Sequence, residues 1–237
     1  MNVDIIIPCF NEDKNIEKLV QLWSEVTKRN ENFYIYFVEN GSDDDTRENL
    51  KKYIKLYHPK RTNVLLIDKN IGYGHGIKFG IQNSKNEIIC WTHADLQIPV
   101  EDVVSIINKF LSLNNENVLI KGKRSSRKFI DSFFTTMMSI IGFLFTGYFI
   151  SDINAQPKVL SRKLFDKVKN FPNNFLLDAH LLYSSKLKRI EIISFESQFL
   201  TRVNNKPKGG GSILGKIKLS ALTMKYLFTF RKNKKIY

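Results

Sequence analysis

The sequence predicts an α/β fold in which a Rossmann-like, mostly parallel β-sheet carries helices on both faces. Short apolar runs rich in β-branched residues end in polar turns at residues 8–13, 39–46 and 68–76, and apolar residues recur at helical spacing after the first two turns. This repetition of strand, turn and helix is typical of βαβ units with parallel strands. Ligands of such sheets bind beside the carboxyl ends of the strands, so the polar turns are the candidate functional positions.

The predicted elements follow in order along the chain. Helices are predicted where apolar residues recur every three or four positions, as at Ile16, Leu19 and Trp23. Five strands are predicted in the first half, at residues 3–7, 33–38, 64–67, 88–91 and 118–121. Two more are predicted late in the chain, at residues 190–194 and 195–200.

The strand at residues 88–91 leads into the polar segment His93-Ala94-Asp95-Leu96-Gln97. The carboxylate of Asp95 and the amide oxygen of Gln97 are two residues apart and can share one hard divalent cation. An Asp at a strand end is also common in ordinary turns, which is the alternative interpretation.

Charge is concentrated at the end of the chain. The protein has 237 residues and a net charge of +14, and residues 197–237 hold ten Lys and Arg with no Asp or Glu. This excess predicts an anionic partner. Residues 121–128 hold five further cations, but no aromatic residues interleave with them, which argues against nucleic acid as the partner.

Two segments raise the question of a membrane. Residues 133–150 carry no charge, and we predict that they lie on the membrane or line an acceptor groove; a true span and a buried core helix are the alternatives. Residues 213–237 combine an apolar stripe with cations, which predicts an amphipathic helix on an anionic membrane surface. The alternative is a helix packed on the domain. No secretory signal is recognised and the two cysteines do not suggest disulfides, so a cytoplasmic protein is expected.

Several ordered motifs resemble those of the family-two glycosyltransferases, in the branch that includes dolichyl-phosphate mannosyltransferase and bacterial polyprenyl-phosphate glycosyltransferases. His93-Ala94-Asp95-Leu96-Gln97 resembles the Asp-Ala-Asp-Leu-Gln of that family, with His93 in place of the first Asp. The other matches are Pro8-Cys9-Phe10-Asn11-Glu12 for Pro-x-Tyr-Asn-Glu, Val38-Glu39-Asn40-Gly41-Ser42 for Val-Asp-Asp-Gly-Ser, Gly122-Lys123-Arg124 for Gly-x-Arg, and residues 202–208 for Arg-x-x-Gly-x-Ser-Lys.

The resemblance implies a GT-A fold and transfer of a sugar, with inversion, from a nucleotide diphosphate sugar to a polyprenyl-phosphate-type lipid. It implies that Mg²⁺ or Mn²⁺ is held by Asp95 and Gln97 and that Asp95 is catalytic. His93 is the candidate third ligand; a hydrogen bond to a phosphate, or neither role, is the alternative. The positions it assigns to the nucleotide sugar are Pro8, Phe10, Asn11, Glu12, Glu39, Asn40, Lys69, Asn70, Gly74, His93, Ala94 and Asp95.

The resemblance also assigns the acceptor side. Arg124, Gln156, Arg202 and Lys208 are expected to bind the acceptor or its phosphate. If the acceptor is instead a sugar hydroxyl, as in surface polysaccharide synthesis, Asp178 is the candidate general base; capping its own helix is the alternative. A noncatalytic nucleotide-sugar-binding protein that has lost turnover with its first triad Asp is a further alternative.

The expected organisation is one glycosyltransferase domain at residues 1–212 followed by a membrane-associating tail at residues 213–237. Within the domain, residues 1–120 form the nucleotide-binding half and residues 121–212 the acceptor half. Residues 209–212, Gly-Gly-Gly-Ser, predict a flap that closes over the donor. The expected location is the inner face of the cell membrane, bound peripherally, and the sequence gives no indication of oligomeric state.

Overall fold

A computed structural model describes residues 1–125, 129–202 and 213–232. Lys208 and the glycine flap at residues 209–212 therefore lie outside the described residues. The strands are β1 (Val3–Cys9), β2 (Phe33–Asn40), β3 (Thr62–Ile67), β4 (Ile88–Trp91), β5 (Val118–Arg124), β6 (Lys158–Ser161) and β7 (Glu191–Ser197). The helices are α1 (Asp13–Arg29), α2 (Thr46–Tyr57), α3 (Tyr73–Gln82), α4 (Val100–Ser112), α5 (Phe129–Thr146), α6 (Arg162–Lys167), α7 (Leu177–Leu187) and α8 (Ile213–Lys232).

All seven described strands form one sheet in the order β3-β2-β1-β4-β6-β5-β7. β1 pairs in parallel with β2 and β4, β2 with β3, and β5 with β7. β6 runs antiparallel between β4 and β5. The predicted mostly parallel sheet is confirmed. The two strands predicted at residues 190–200 are a single strand, β7, and β6 was not predicted, because it is four residues long and begins with a lysine.

The inner strands of the sheet are buried on both faces, as expected for parallel strands joined by helices, whereas the edge strands β3 and β7 are partly exposed. Ile5 and Ile7 face one hydrophobic cluster, which includes Trp23 of α1, whereas Ile6 faces the other, which includes Tyr183 of α7. This alternation follows from the two-residue period of a strand. The arrangement leaves the ends of the strands, and the turns that follow them, as the place for polar chemistry.

α8 packs on the domain. Leu227 and Phe230 of this helix are fully buried in the second cluster, and the Tyr226 hydroxyl lies 2.8 Å from Nδ1 of His180 on α7. Phe228 contacts Phe145 of α5 edge to face. The described part of the tail is therefore a helix docked on the core, which was the alternative interpretation of the sequence. The division of the chain at residue 212 remains a prediction.

Large apolar side chains remain exposed on α5, on α8 and in the turn after α5. No helix among the described residues has the combination of length and apolarity that crossing a bilayer requires. The large apolar side chains exposed in this region are Phe133, Ile140, Phe143, Leu144, Phe149, Ile217, Leu222, Met224 and Phe228.

Candidate active site

A cavity of about 460 Å³ lies at the carboxyl ends of β1, β2 and β4. It collects most of the residues predicted from the sequence. Those that line it are Pro8, Phe10, Glu12, Asn40, Asn70, His93, Ala94, Asp95, Gln97, Arg124, Gln156, Asp178 and Arg202. Residues that were not predicted also line it: Gly72, Tyr73, Ile98, Asn154, Phe175, Phe199 and Leu219.

Local backbone geometry presents the polar groups after β4. Leu96 has a positive φ of 57°, and the backbone N–H of Gln97 donates to Oδ1 of Asp95 at 3.1 Å. This is the side-chain turn that Asp favours. The turn brings Asp95 and Gln97 to the same cavity, as their spacing in the sequence predicted.

The segment after β7 is attached to this turn. The backbone N–H of Leu200 donates to the Gln97 carbonyl at 2.8 Å, and the Gln97 side-chain amide donates to the Leu200 carbonyl at 3.2 Å. Two residues further on, the Arg202 guanidinium forms an ion pair with Oδ2 of Asp95. Arg202, which was predicted to bind the acceptor, therefore forms an ion pair with Asp95, which was predicted to bind the donor.

His93 belongs to a stack of three rings. Its imidazole lies 5.3 Å from the Tyr73 ring, and Tyr73 lies 5.4 Å from Phe175, with both pairs nearly parallel. Burial lowers the pKa of His93, although Asp95 and Asp178 act in the opposite direction. The imidazole is thus neutral near pH 7, unlike the carboxylate that the family has at this position.

Asp178 is held by several donors inside the protein. Its Oδ1 accepts from Trp91 Nε1 at 3.2 Å, and its Oδ2 accepts from Gln156 Nε2 at 2.9 Å. The ammonium of the fully buried Lys158 is 3.6 Å from Oδ1. These contacts hold the Asp178 carboxylate in a fixed orientation at the cavity, and its role as a general base remains a prediction.

Arg124 is held at the edge of the cavity by Asp152. Its Nε donates to Oδ1 of Asp152 at 3.0 Å, its backbone N–H donates to Oδ2 at 2.9 Å, and a terminal nitrogen completes the ion pair. The guanidinium also lies over the ring of Phe199, 5.1 Å from its centre. These contacts fix the direction of a cation that lines the cavity.

Asn40 lines the cavity and carries a buried acceptor. Its side-chain amide nitrogen donates to the Gly72 carbonyl at 3.2 Å, and its backbone carbonyl accepts from Asn70 Nδ2 at 2.8 Å. Its Oδ1 is buried with no hydrogen-bond partner among the described residues. A buried acceptor without a partner is unfavourable, which is consistent with a ligand donor at this position.

Four predicted nucleotide-binding residues do not line the cavity: Asn11, Glu39, Lys69 and Gly74. Asn11 Oδ1 accepts the backbone N–H of Asp43, while the fully buried Glu39 accepts from Ser42 N at 2.7 Å and Arg47 Nε at 2.8 Å. Gly74 lies so close to the backbone of Pro172 that an added Cβ would be 2.5 Å from its carbonyl oxygen. These three residues shape the turns around the cavity, and the nucleotide contacts predicted for all four remain predictions.

Lys121 lies buried beside Lys158 on neighbouring strands, where the two residues are register partners. Its ammonium donates to the carbonyls of Gly122 and Asp152 at 3.2 and 3.3 Å. Burial, with a smaller contribution from Lys158, lowers the pKa of Lys121 to about 7.

The low pKa of Lys121 predicts a specific pH dependence of stability. An unfolded lysine titrates near pH ~10.4, so between about pH 7 and that value the unfolded state binds more protons at this site. The free energy of unfolding should therefore rise with pH across this window by up to about 1.4 kcal/mol per pH unit relative to Lys121→Met. Urea unfolding at pH 7, 8 and 9 measures this difference. Lys123→Met, a change at an exposed neighbour, is the control, and identical pH dependence of Lys121→Met and wild type would contradict the prediction.

The donor set of the cavity fits a divalent cation that arrives with a diphosphate. The described residues contain no cluster of three or more His, Cys, Asp or Glu that could hold a metal without other ligands. Asp95 and Gln97 offer two oxygens and His93 a neutral nitrogen at one side of the cavity. Mg²⁺ sites commonly use one or two protein carboxylates and complete their coordination with substrate phosphates and water.

Comparison with known proteins establishes the family of this chain. The model of Glycosyl transferase family 2 matches residues 4–168, so the chain belongs to that family. A human dolichyl-phosphate beta-glucosyltransferase is 25% identical over 210 residues, which cover 80% of this chain and 64% of the human protein. An undecaprenyl-phosphate 4-deoxy-4-formamido-L-arabinose transferase of Pseudomonas savastanoi is 29% identical over 106 residues, covering 44% of this chain and 31% of that protein. The chain thus spans less than two thirds of the length of these relatives.

Solved structures confirm the predicted GT-A class of fold. Glucosyl-3-phosphoglycerate synthase from Mycobacterium tuberculosis, in complex with Mn²⁺, UDP and glucosyl-3-phosphoglycerate, is similar with a TM-score of 0.71 and 16% identity over 97% of this chain and 79% of that one. A mannosyltransferase from Pyrobaculum calidifontis, in complex with GDP-Man and Mn²⁺, gives a TM-score of 0.63 at 16% identity over 98% of this chain and 73% of that one. The resemblance stated from the sequence motifs is confirmed at the level of family and fold.

Proposed function

We propose that this protein transfers a sugar, with inversion, from a nucleotide diphosphate sugar to a polyprenyl-phosphate-type lipid. The observation that carries the proposal is the convergence of the turns after β1, β2 and β4 on one cavity with Asp95 at its side. Relatives named for dolichyl phosphate and undecaprenyl phosphate support the acceptor class. Similar structures with UDP or GDP-Man and Mn²⁺ support the donor class and the cation.

On the donor side, the nucleoside lies against Glu12, Asn40 and Asn70, and the diphosphate lies beside Asp95. Asp95 and Gln97 would hold a divalent cation, Mg²⁺ or Mn²⁺, which would neutralise charge on the leaving diphosphate. Arg202 then has a second anionic group within reach, since the diphosphate arrives next to the carboxylate with which it is paired.

On the acceptor side, Arg124 and Arg202 hold the lipid phosphate, for which a planar guanidinium is well suited. Lys208 is assigned to the same task from the sequence. A phosphate oxygen is already anionic and attacks the anomeric carbon without a base. A sugar hydroxyl as the acceptor would instead require a general base, for which Asp178 is the candidate.

The function is tested by incubating the purified protein with radiolabelled nucleotide sugars, Mg²⁺ or Mn²⁺, and either polyprenyl phosphate or extracted glycan. Label in the lipid fraction supports the proposal. Label in the glycan alone favours the surface-polysaccharide alternative and returns Asp178 to the role of base. Nucleotide binding without transfer or hydrolysis under every condition favours the noncatalytic alternative.

We also propose that the protein binds peripherally to the anionic inner face of the cell membrane through α5 and α8. These two helices pack on each other, and both expose large apolar side chains. α8 also carries the exposed cations Lys218, Lys225 and Arg231. Each cation near such a surface adds roughly 1 kcal/mol of attraction.

A double change on α5 tests the membrane proposal. Phe143→Ser with Leu144→Ser removes two exposed apolar side chains, so binding to vesicles that contain anionic lipid should fall by about tenfold or more. Co-sedimentation with the vesicles measures the loss. Leu56→Ser changes a similarly exposed leucine on α2 and should bind as wild type does. Equal binding by the α5 variant and wild type would count against this surface.

A further inference from the structure

The side-chain amide of Gln156 has one orientation that its neighbours permit. Its nitrogen lies 2.9 Å from Oδ2 of Asp178 and 2.8 Å from the Tyr73 hydroxyl. A carboxylate only accepts hydrogen bonds, so the group that faces Asp178 must be the NH₂ and not the oxygen. A reversed amide would place two oxygens 2.9 Å apart. The position of Oε1 therefore follows from the chemistry of Asp178.

This orientation leaves Oε1 of Gln156 without a partner. The residue is 1% exposed, and its Oε1 accepts no hydrogen bond from the described residues. Nearly all buried polar atoms in folded proteins are paired, and an unpaired one is unfavourable. Gln156 also lines the cavity. A side chain of the cavity thus carries a buried acceptor that has no partner among the described residues, and a donor from a ligand would satisfy it.

The backbone around Gln156 holds this acceptor in place. The Lys158 ammonium donates to the carbonyl of Ala155, and the backbone N–H of Gly122 donates to the carbonyl of Pro157 at 2.8 Å. Gly122 allows this approach, because an added Cβ would be 1.9 Å from the Gln156 carbonyl oxygen. Contacts with β5 and β6 thus fix the backbone at Gln156, and hydrogen bonds to Asp178 and Tyr73 fix its side-chain amide.

The neighbours of Gln156 indicate which part of a ligand it meets. Tyr73, which accepts from its amide, stacks on His93, and His93 is two residues before Asp95. If a donor diphosphate lies at Asp95, the group attached to the diphosphate, the sugar, extends to the wall formed by His93, Tyr73 and Gln156. Phosphates and carbonyls have no proton to give Oε1, whereas a sugar hydroxyl has one.

We propose that Oε1 of Gln156 accepts a hydrogen bond from one hydroxyl of the transferred sugar and so determines which sugars are used. Asp178 and Tyr73 are positioning residues that keep the amide in the accepting orientation. This inference rests on the proposed function, and it moves Gln156 from the acceptor side, where the family resemblance places it, to the donor sugar.

Binding of nucleotide sugars and of their deoxy analogues tests the proposal. The probes are UDP-glucose, UDP-galactose and GDP-mannose, the singly deoxygenated forms of whichever binds, and the nucleoside diphosphates alone. Wild type should bind the parent sugar about tenfold more tightly than one deoxy analogue. Gln156→Met, which is similar in length but has no acceptor oxygen, should lose that discrimination and bind the nucleoside diphosphate as wild type does.

Two further variants complete the experiment. Gln82→Met makes the same change at an exposed residue outside the cavity and should keep the discrimination. Asp178→Asn, which no longer requires the NH₂ of Gln156 to face it, should reduce the discrimination even where nucleotide binding is unchanged. Discrimination that survives in Gln156→Met, or wild type that rejects no deoxy analogue, would overturn the proposal. Wild type that binds neither nucleoside diphosphates nor nucleotide sugars would instead overturn the proposed function itself.

Discussion

Asp95→Asn is expected to lower the rate of sugar transfer by about a thousandfold while the protein stays folded. The change removes the one carboxylate charge at the predicted cation site and leaves a side chain of the same size. Loss of about 4 kcal/mol of stabilisation of the leaving diphosphate corresponds to this factor. The rate is measured with labelled nucleotide sugar and polyprenyl phosphate at saturating Mn²⁺.

Two controls separate this effect from damage to the fold. Asp166→Asn changes an exposed carboxylate outside the cavity and should transfer sugar at the wild-type rate. The melting temperature of Asp95→Asn should stay near that of wild type, although its ion pair with Arg202 is lost. A rate within tenfold of wild type would show that the Asp95 carboxylate has no part in the reaction.

The largest effect on stability is expected at Lys158. This side chain and Asp178 are both buried, with 0% and 2% of their surface exposed, and their charged atoms are 3.6 Å apart. Burial lowers the pKa of Lys158, and Asp178 opposes that shift, as expected for an ion pair kept away from water. Lys158→Met leaves the Asp178 charge buried without its cation, and such losses typically reduce the free energy of unfolding by about 3–5 kcal/mol.

Urea unfolding measures the effect, and the chain offers a matched control. Lys163 forms an ion pair with Glu116 at 2.9 Å, but its side chain is 79% exposed. Lys163→Met should cost no more than about 1 kcal/mol, as is usual for surface pairs. The double change Lys158→Met with Asp178→Asn should recover part of the stability lost in the single variant. Equal effects of the two lysine changes would contradict a buried ion pair.

The parts of the fold and site that depend on local pattern were predictable. The alternation of apolar runs and polar turns identified β1 to β5, and the spacing of Asp95 and Gln97 identified the turn after β4. Parallel strands bring their carboxyl ends to one edge of a sheet, so short segments far apart in the chain predicted one site. The structure confirms that these segments line one cavity.

The parts that depend on contacts between distant segments were not predictable. Nothing local to Tyr73 or Phe175 indicates that these rings stack with His93, since the three come from different connections. β6 is too short for a periodic signal, and its buried Lys158 argues against a central strand until Asp178 is placed beside it. α8 likewise has the apolar and cationic sequence of a membrane-binding helix. Its packing on the core depends on contacts with distant residues such as His180 and Tyr183, which its own sequence does not indicate.

The most direct measurement is the anomalous scattering of manganese in crystals soaked with Mn²⁺ and a nucleotide diphosphate sugar. The expected result is one strong peak beside the Asp95 carboxylate and the Gln97 amide oxygen, with both phosphates of the donor in contact with it and Arg202 turned to the diphosphate. A donor bound with its phosphates away from Asp95, or manganese bound elsewhere in the protein, would contradict the proposed site.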